Sequence, residues 1–174
     1  MNLTDIARKS IESALNGDDF KIDEVTRKKF SKLGACFVTL TINGELRGCV
    51  GSLQAYRPLW EDVRENALNA AFEDSRFSPL EKGELHRIKI EVSVLSAPQK
   101  LEYKNEKDLL EKLNSKMGLI LKKGFASATF LPQVWEELPD KIDFLEHLSR
   151  KAGLSKDAWK TADFEFYTVT SEKE

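Results

Sequence analysis

Two cysteines, Cys36 and Cys49, are all that the 174 residues carry, too few for a disulfide scaffold. A reducing cytosol is the compartment this usage implies. Long apolar runs are missing as well: nothing approaches the roughly 18 residues that would span a bilayer. The start, Met1-Asn2-Leu3-Thr4-Asp5, lacks a basic stretch followed by an apolar one, so no signal peptide is expected. An excess of either charge is also absent, with 27 Lys and Arg against 29 Asp and Glu. That balance supplies no long-range field to hold a polyanion, which disfavours non-specific nucleic-acid binding and leaves room only for a local basic patch. Histidine is limited to His86 and His147, and their spacing with Cys36 and Cys49 does not resemble a structural zinc site.

What is present is an ordinary globular composition, 41% hydrophobic and 32% charged, of a length that suits one core or two lobes. Residues 3 to 16 read as a helix capped by Thr4 or Asp5 and closed at Gly17. A second, Glu24 to Leu33, ends on Gly34. The period then changes to two. Ala35 to Ile42 suits a strand, and Asn43-Gly44 signals a two-residue hairpin turn. Counting from that turn sets Ile42 opposite Glu45, Leu40 opposite Arg47, Val38 opposite Cys49 and Cys36 opposite Gly51. Arg47 and Cys49 then share a face with Val38 and Leu40, while Leu46, Gly48 and Val50 take the other. Cys36 falls diagonal to Cys49, about 7 to 8 Å away, too far for a disulfide.

Leu59 to Asp74 reads as a helix led by Pro58, and Ile88 to Leu95 as a strand of strict alternation. Asn105 to Asn114, Gln133 to Leu138 and Asp140 to Ala152 read as helices. Gly118 to Lys122, Ala128 to Leu131 and Phe164 to Thr170 read as strands. Helices mixed with hairpins, without βαβ alternation, predict an α+β fold rather than a doubly wound parallel sheet.

The stretch with most chemistry is Leu46-Arg47-Gly48-Cys49-Val50-Gly51. A guanidinium near a thiol favours the thiolate, the nucleophilic form. Gly48 and Gly51 leave room for a ligand or another backbone. The plain alternative is a cysteine acting as a small buried hydrophobe. Arg47 has two readings, a bridge to a carboxylate or a clamp for a substrate anion. Arg76 is a second anion-binding candidate, or a cap for the helix before it. A base for Cys49 would come from His86, His147, Glu73 or Glu91. Glu91 borders a site only if the polar face of its strand does; otherwise it is ordinary alternation. Trp135 reads as packing rather than as a stacking platform.

The same stretch resembles the signature of the AMMECR-type domain family, also known as AmmeMemoRadiSam system protein A. Ala67 through Pro79, Glu91 through Ser96, Gly118 through Leu121, Thr129 through Glu136, and Phe144 through Leu154 with Trp159 are similar to the family's further blocks, in its order. Val50 replaces the signature's usual isoleucine, and Ser127-Ala128 stand where many members have Arg-Gly. The resemblance implies one AMMECR-type domain over residues 1–174: a compact, largely antiparallel α+β fold of two unequal subdomains, with a cleft near residues 46–51. It names no reaction and no cofactor. It implies association with a Memo-like protein, which resembles metal-dependent dioxygenases, and a radical SAM protein.

These readings combine into two expectations. The first is a cytosolic enzyme, or enzyme component, that binds a small anionic substrate. Arg47 orients the substrate, with Arg76 as a second contact. Cys49 acts as nucleophile or thiol ligand, Gly48 and Gly51 admit the substrate, and Glu91 or Glu73 moves protons. The second is a binding or scaffold module for a protein partner, a nucleotide or RNA.

Overall fold

The computed structural model describes residues 1–174. It is an α+β protein that divides into two units, Met1–Ser96 with Thr170–Glu174, and Ala97–Val169. No helix is long and apolar enough to cross a membrane.

In the first unit, α1 (Leu3–Asn16) begins one step earlier than its expected caps. Asn2 is the N-cap: its side chain accepts from the Asp5 N–H at 2.7 Å, and Asp5 accepts in return from the Asn2 N–H at 3.0 Å. This reciprocal box satisfies two otherwise orphaned donors. Helix α2 (Glu24–Lys29) stops short of Leu33. The reason is tertiary: Leu33 and Gly34 begin strand β1 (Leu33–Ile42) and pair with the short β3 (Arg57–Pro58).

Strand β1 turns through Asn43 and Gly44, at φ 54° and 84°, into β2 (Glu45–Gly51). Both turn residues are left-handed, as the two-residue hairpin requires. Helix α3 (Leu59–Phe72) follows, then β4 (Ile88–Leu95). Strand β4 pairs antiparallel with β1 from Ala35–Leu95 to Ile42–Ile88. After the chain has built the second unit, β9 (Val169–Lys173) returns to complete the order β2-β1-β4-β9.

The core lies on one face of this sheet. Ile6 and Ile11 of α1 and Val63, Ala67 and Ala70 of α3 pack on Val38, Leu40, Ile88, Ile90 and Val92. The alanines lack bulk, which lets α3 lie close to the strands. The far face carries Thr39, Thr41, Lys89, Glu91 and Ser93, half-buried or exposed.

The second unit has its own sheet, order β5-β8-β6-β7, from β5 (Gln99–Lys100), β6 (Gly118–Lys123), β7 (Ala126–Phe130) and β8 (Asp163–Tyr167). Helices α4 (Glu106–Lys112), α5 (Val134–Glu137) and α6 (Lys141–Lys151) belong to it. Trp135 stacks on Phe144 with ring centroids 3.6 Å apart and donates its indole N–H to the Met117 carbonyl at 2.9 Å. It is a core residue. The expected single strand Phe164 to Thr170 is two: Asp163–Tyr167 pairs with β6, and Val169–Lys173 joins the other sheet. Local alternation could not show that a strand changes sheets at Thr168.

Candidate functional site

The signature occupies β2, and one extra residue decides what it presents. Thr41 pairs with Leu46, but Leu40 pairs with Gly48 and Thr39 with Cys49. Arg47 is therefore a bulge. The register counted from the turn holds at Ile42–Glu45 and Thr41–Leu46 and fails from Leu40 onward. Because side chains alternate with period two, the slip moves every later residue of β2 to the other face. Cys49 leaves the side of Val38 and Leu40 and joins Thr39, with Sγ 3.3 Å from Thr39 Oγ1. Arg47 and Cys49 do not share a surface as partners.

Gly48 takes the helix side and is buried. A Cβ there would overlap the carbonyl oxygen of Ala70, and one on Gly51 would overlap the ring of Phe37. Both glycines are filled by the chain itself, so neither provides the expected opening for a substrate.

Arg47 is the structural bridge. Its Nε and Nη2 donate to the two oxygens of Glu84 at 2.8 and 2.9 Å, and its guanidinium lies 5.9 Å from the centre of the Phe77 ring. Only 13% of the side chain is exposed. The hydrogen bond from Arg47 holds the Glu84 carboxyl below its ordinary range, and Glu84 raises Arg47 in turn. The fork geometry fixes the bulge against the turn Lys82–Glu84.

The cation beside Cys49 is Arg76. Asp74 Oδ2 accepts the Cys49 N–H at 2.9 Å, and Arg76 Nη2 donates to the Cys49 carbonyl at 3.2 Å. Arg76 also binds Asp74 through Nε at 2.9 Å and Nη2 at 2.7 Å. Strand β2 ends its sheet, so its outward backbone groups have no strand to meet. The Asp74–Arg76 pair satisfies both of them at Cys49, as a neighbouring strand would. The Arg76 hydrogen bond holds the Asp74 carboxyl far below the usual carboxylate range; burial opposes this, and the Cys49 N–H adds to it. Arg76 does not cap α3, whose last turn is closed by the Glu73 N–H on the Asn69 carbonyl.

Asp74 was absent from the sequence-predicted set. Its signal was an Asx turn, since Asp74 Oδ1 accepts the N–H of Arg76 two residues on, at 3.2 Å. Asp62 was also absent. This buried carboxylate accepts the Cys36 N–H at 2.9 Å, the Ser52 hydroxyl at 2.7 Å and the Asn66 amide at 3.0 Å. It ties the residue after the signature to α3.

The remaining candidates scatter. Glu91 lies on the far face opposite Thr39, so it is two strands, roughly 10 Å, from Cys49. Its carboxylate takes Lys173 Nζ at 3.2 Å. Glu73 is exposed at the end of α3. His86 is exposed at the entry to β4. His147 is exposed on α6 with Nδ1 2.8 Å from the Asp143 carbonyl. Cys36 is buried on the helix side, the opposite face from Cys49, and burial pushes its thiol up. The two thiols are thus separated by the sheet, not placed diagonally on one face. No three His, Cys, Asp or Glu side chains converge as a metal ion would require.

The fold and site define an α+β protein with a bulged signature hairpin docked through glycine on a helix. The AMMECR1 family model matches residues 4–173. Protein NEQ441 of Nanoarchaeum equitans is 45% identical over 170 residues, covering 96% of this chain and 94% of its own. Protein MK0488 of Methanopyrus kandleri is 42% identical over 177 residues, covering 98% and 84%. The crystal structure of the uncharacterized protein PH0010 from Pyrococcus horikoshii superposes with a TM-score of 0.86 at 31% identity, covering 99% of this chain and 89% of that one. The chain belongs to the AMMECR1 family.

Proposed function

We propose that the protein is a cytosolic enzyme, or the thiol-bearing component of one, that binds a small anionic substrate beside Cys49. The observation that carries this reading is the position of Cys49 within its motif. The neighbouring Arg47, Gly48 and Gly51 are engaged with Glu84, Ala70 and Phe37. Cys49 alone brings a reactive atom to the far face, half-buried, beside the Thr39 hydroxyl. Arg76 adds positive charge next to it, and its guanidinium is held in place by Asp74. A fixed cation beside a thiol supports nucleophilic or ligand chemistry.

The test is the rate of iodoacetamide modification of native protein, read at Cys49 by peptide mass spectrometry. Cys36 serves as the buried internal reference. Fast modification of Cys49, slowed several-fold by Arg76→Ala but not by Arg47→Ala, is the expected result. A Cys49 as inert as Cys36 would remove the thiol from the mechanism.

A second reading rests on the same engaged residues. A hairpin committed this fully to architecture also suits a binding module, with partners such as a Memo-like or radical SAM protein. Pull-down with those partners separates the two readings: capture that survives Cys49→Ala, together with an inert thiol, selects the module.

A further inference from the structure

Arg47 and Arg76 each already hold a carboxylate. Arg47 is bonded to Glu84 through Nε and Nη2, and Arg76 to Asp74 through the same pair of nitrogens. A third cation stands on the same far face. Thr41 pairs with Lys89 across β1 and β4, one step toward the hairpin tip from the Thr39–Glu91 pair. Between these rows lies a hollow of about 250 Å³, lined by Thr39, Thr41, Gly44, Lys89, Glu91 and Lys173.

The charges around the hollow are unequally committed. Glu91 is paired with Lys173 at 3.2 Å, and Glu174 at its rim is paired with Arg8. No ion pair and no hydrogen bond engages the Lys89 ammonium or the Thr41 hydroxyl. What the hollow still offers is therefore an ammonium and a hydroxyl on adjacent strands, a pair that donates to an oxyanion. Its two carboxylates are already neutralised by their own partners, so they oppose an incoming anion weakly.

We propose that this hollow is an oxyanion subsite, in which Lys89 and Thr41 hold a phosphate or carboxylate group. Thr41 is two residues along β1 from Thr39, about 7 Å, and β2 lies about 4.8 Å further across. The bound anion, held between β1 and β4, and the Cys49 thiol are then on the order of 8 to 10 Å apart. The substrate class is a small extended molecule with an acid group at one end and the reacting group at that distance. The assignment of a reacting group rests on the thiol reading above; the oxyanion site does not.

Two measurements keep these claims separate. In the first, 15N-labelled protein is titrated with inorganic phosphate and with acetate at constant ionic strength. Saturable amide shifts at Thr41, Gly44 and Lys89 are expected, weakened about tenfold by Lys89→Ala and retained by Lys89→Arg. The same titration of Cys49→Ala is expected to be unchanged. Phosphate without acetate would assign a phosphate site, and the reverse a carboxylate site. A non-saturating drift, or equal affinity in Lys89→Ala, means a solvated lysine only and overturns the subsite. In the second, Cys49 is alkylated by 6-bromohexanoate and by the neutral 6-bromohexanamide. The thiolate displaces bromide, forming a C–S bond as the C–Br bond breaks. A preference for the anion that Lys89→Ala abolishes supports the distance between subsite and thiol. No preference, in protein whose Cys49 reacts with iodoacetamide, overturns that distance. If Cys49 resists iodoacetamide too, the thiol reading fails and the titration alone decides the subsite.

Discussion

Cys36 and Cys49 lie on adjacent strands of one sheet, yet they face opposite ways. Cys36 is sealed between the sheet and α3, with its backbone N–H on the buried Asp62. Cys49 sits at the sheet edge, its backbone bracketed by Asp74 and Arg76 and its thiol touching Thr39. Residue type is the same in both; the environment differs because one bulged residue, Arg47, reverses the faces of β2. Accessibility and neighbouring charge, not the presence of sulfur, decide whether a thiol is inert or usable.

The strongest way to break this contrast is at Gly48. Gly48→Ala drives a methyl group into the Ala70 carbonyl, which is helix backbone and cannot swing aside. The expected loss is about 3 kcal/mol or more, read from the urea midpoint. A variant within about 1 kcal/mol of wild type would mean that β2 is not docked on α3 through this glycine.

A smaller effect is expected at Asp74, whose side chain is 6% exposed while that of Arg76 is 55% exposed. Asp74→Asn should cost about 2 kcal/mol, the scale of hydrogen bonds to a charged group. It should also change the pH dependence. The folded-state value of Asp74 lies far below that of the unfolded chain, as does that of Glu84 to a lesser degree. The unfolded chain therefore binds more protons in acid, so the stability these groups add is fully present above the unfolded carboxyl range near pH 4 and is lost as pH falls below it. Wild type should lose stability progressively from about pH 5 downward, and Asp74→Asn should lose less. Parallel curves for the two proteins would contradict the assignment.

The mildest change sharpens the contrast. Arg47→Lys keeps the charge but loses the two-pronged bond to Glu84. A cost of about 1 kcal/mol is expected for a pair at this exposure, with the alkylation rate of Cys49 unchanged. A rate that fell with Arg47→Lys would restore Arg47 as the partner of the thiol.

Much of the fold was legible locally. The bounds of Leu3–Asn16 and Ile88–Leu95 follow from periodicity and end signals, and the Asn43-Gly44 turn from backbone chemistry. The bulge was not legible, because no residue in Leu46-Arg47-Gly48 demands one by its own conformational preference. It is settled by the fit of Gly48 under Ala70 and of Arg47 on Glu84, two contacts distant in sequence. The candidate site suffered accordingly. Residue type points to Cys49 and Arg76, which the fold brings together, while Arg47, nearer in sequence, is bonded to Glu84 instead. Asp74 and Lys89 were passed over because an acid after a helix and a lysine in an alternating strand look like solvated surface.

By itself the sequence determined which segments fold as helix, strand and turn, since hydrophobic period, caps and turn residues act over a few neighbours. It also determined the family, through blocks that keep their order along the chain. Only the tertiary structure decided which face each signature side chain occupies and which charges are already spent. Both depend on register and on partners far along the chain, where a slip of one residue exchanges inside for outside.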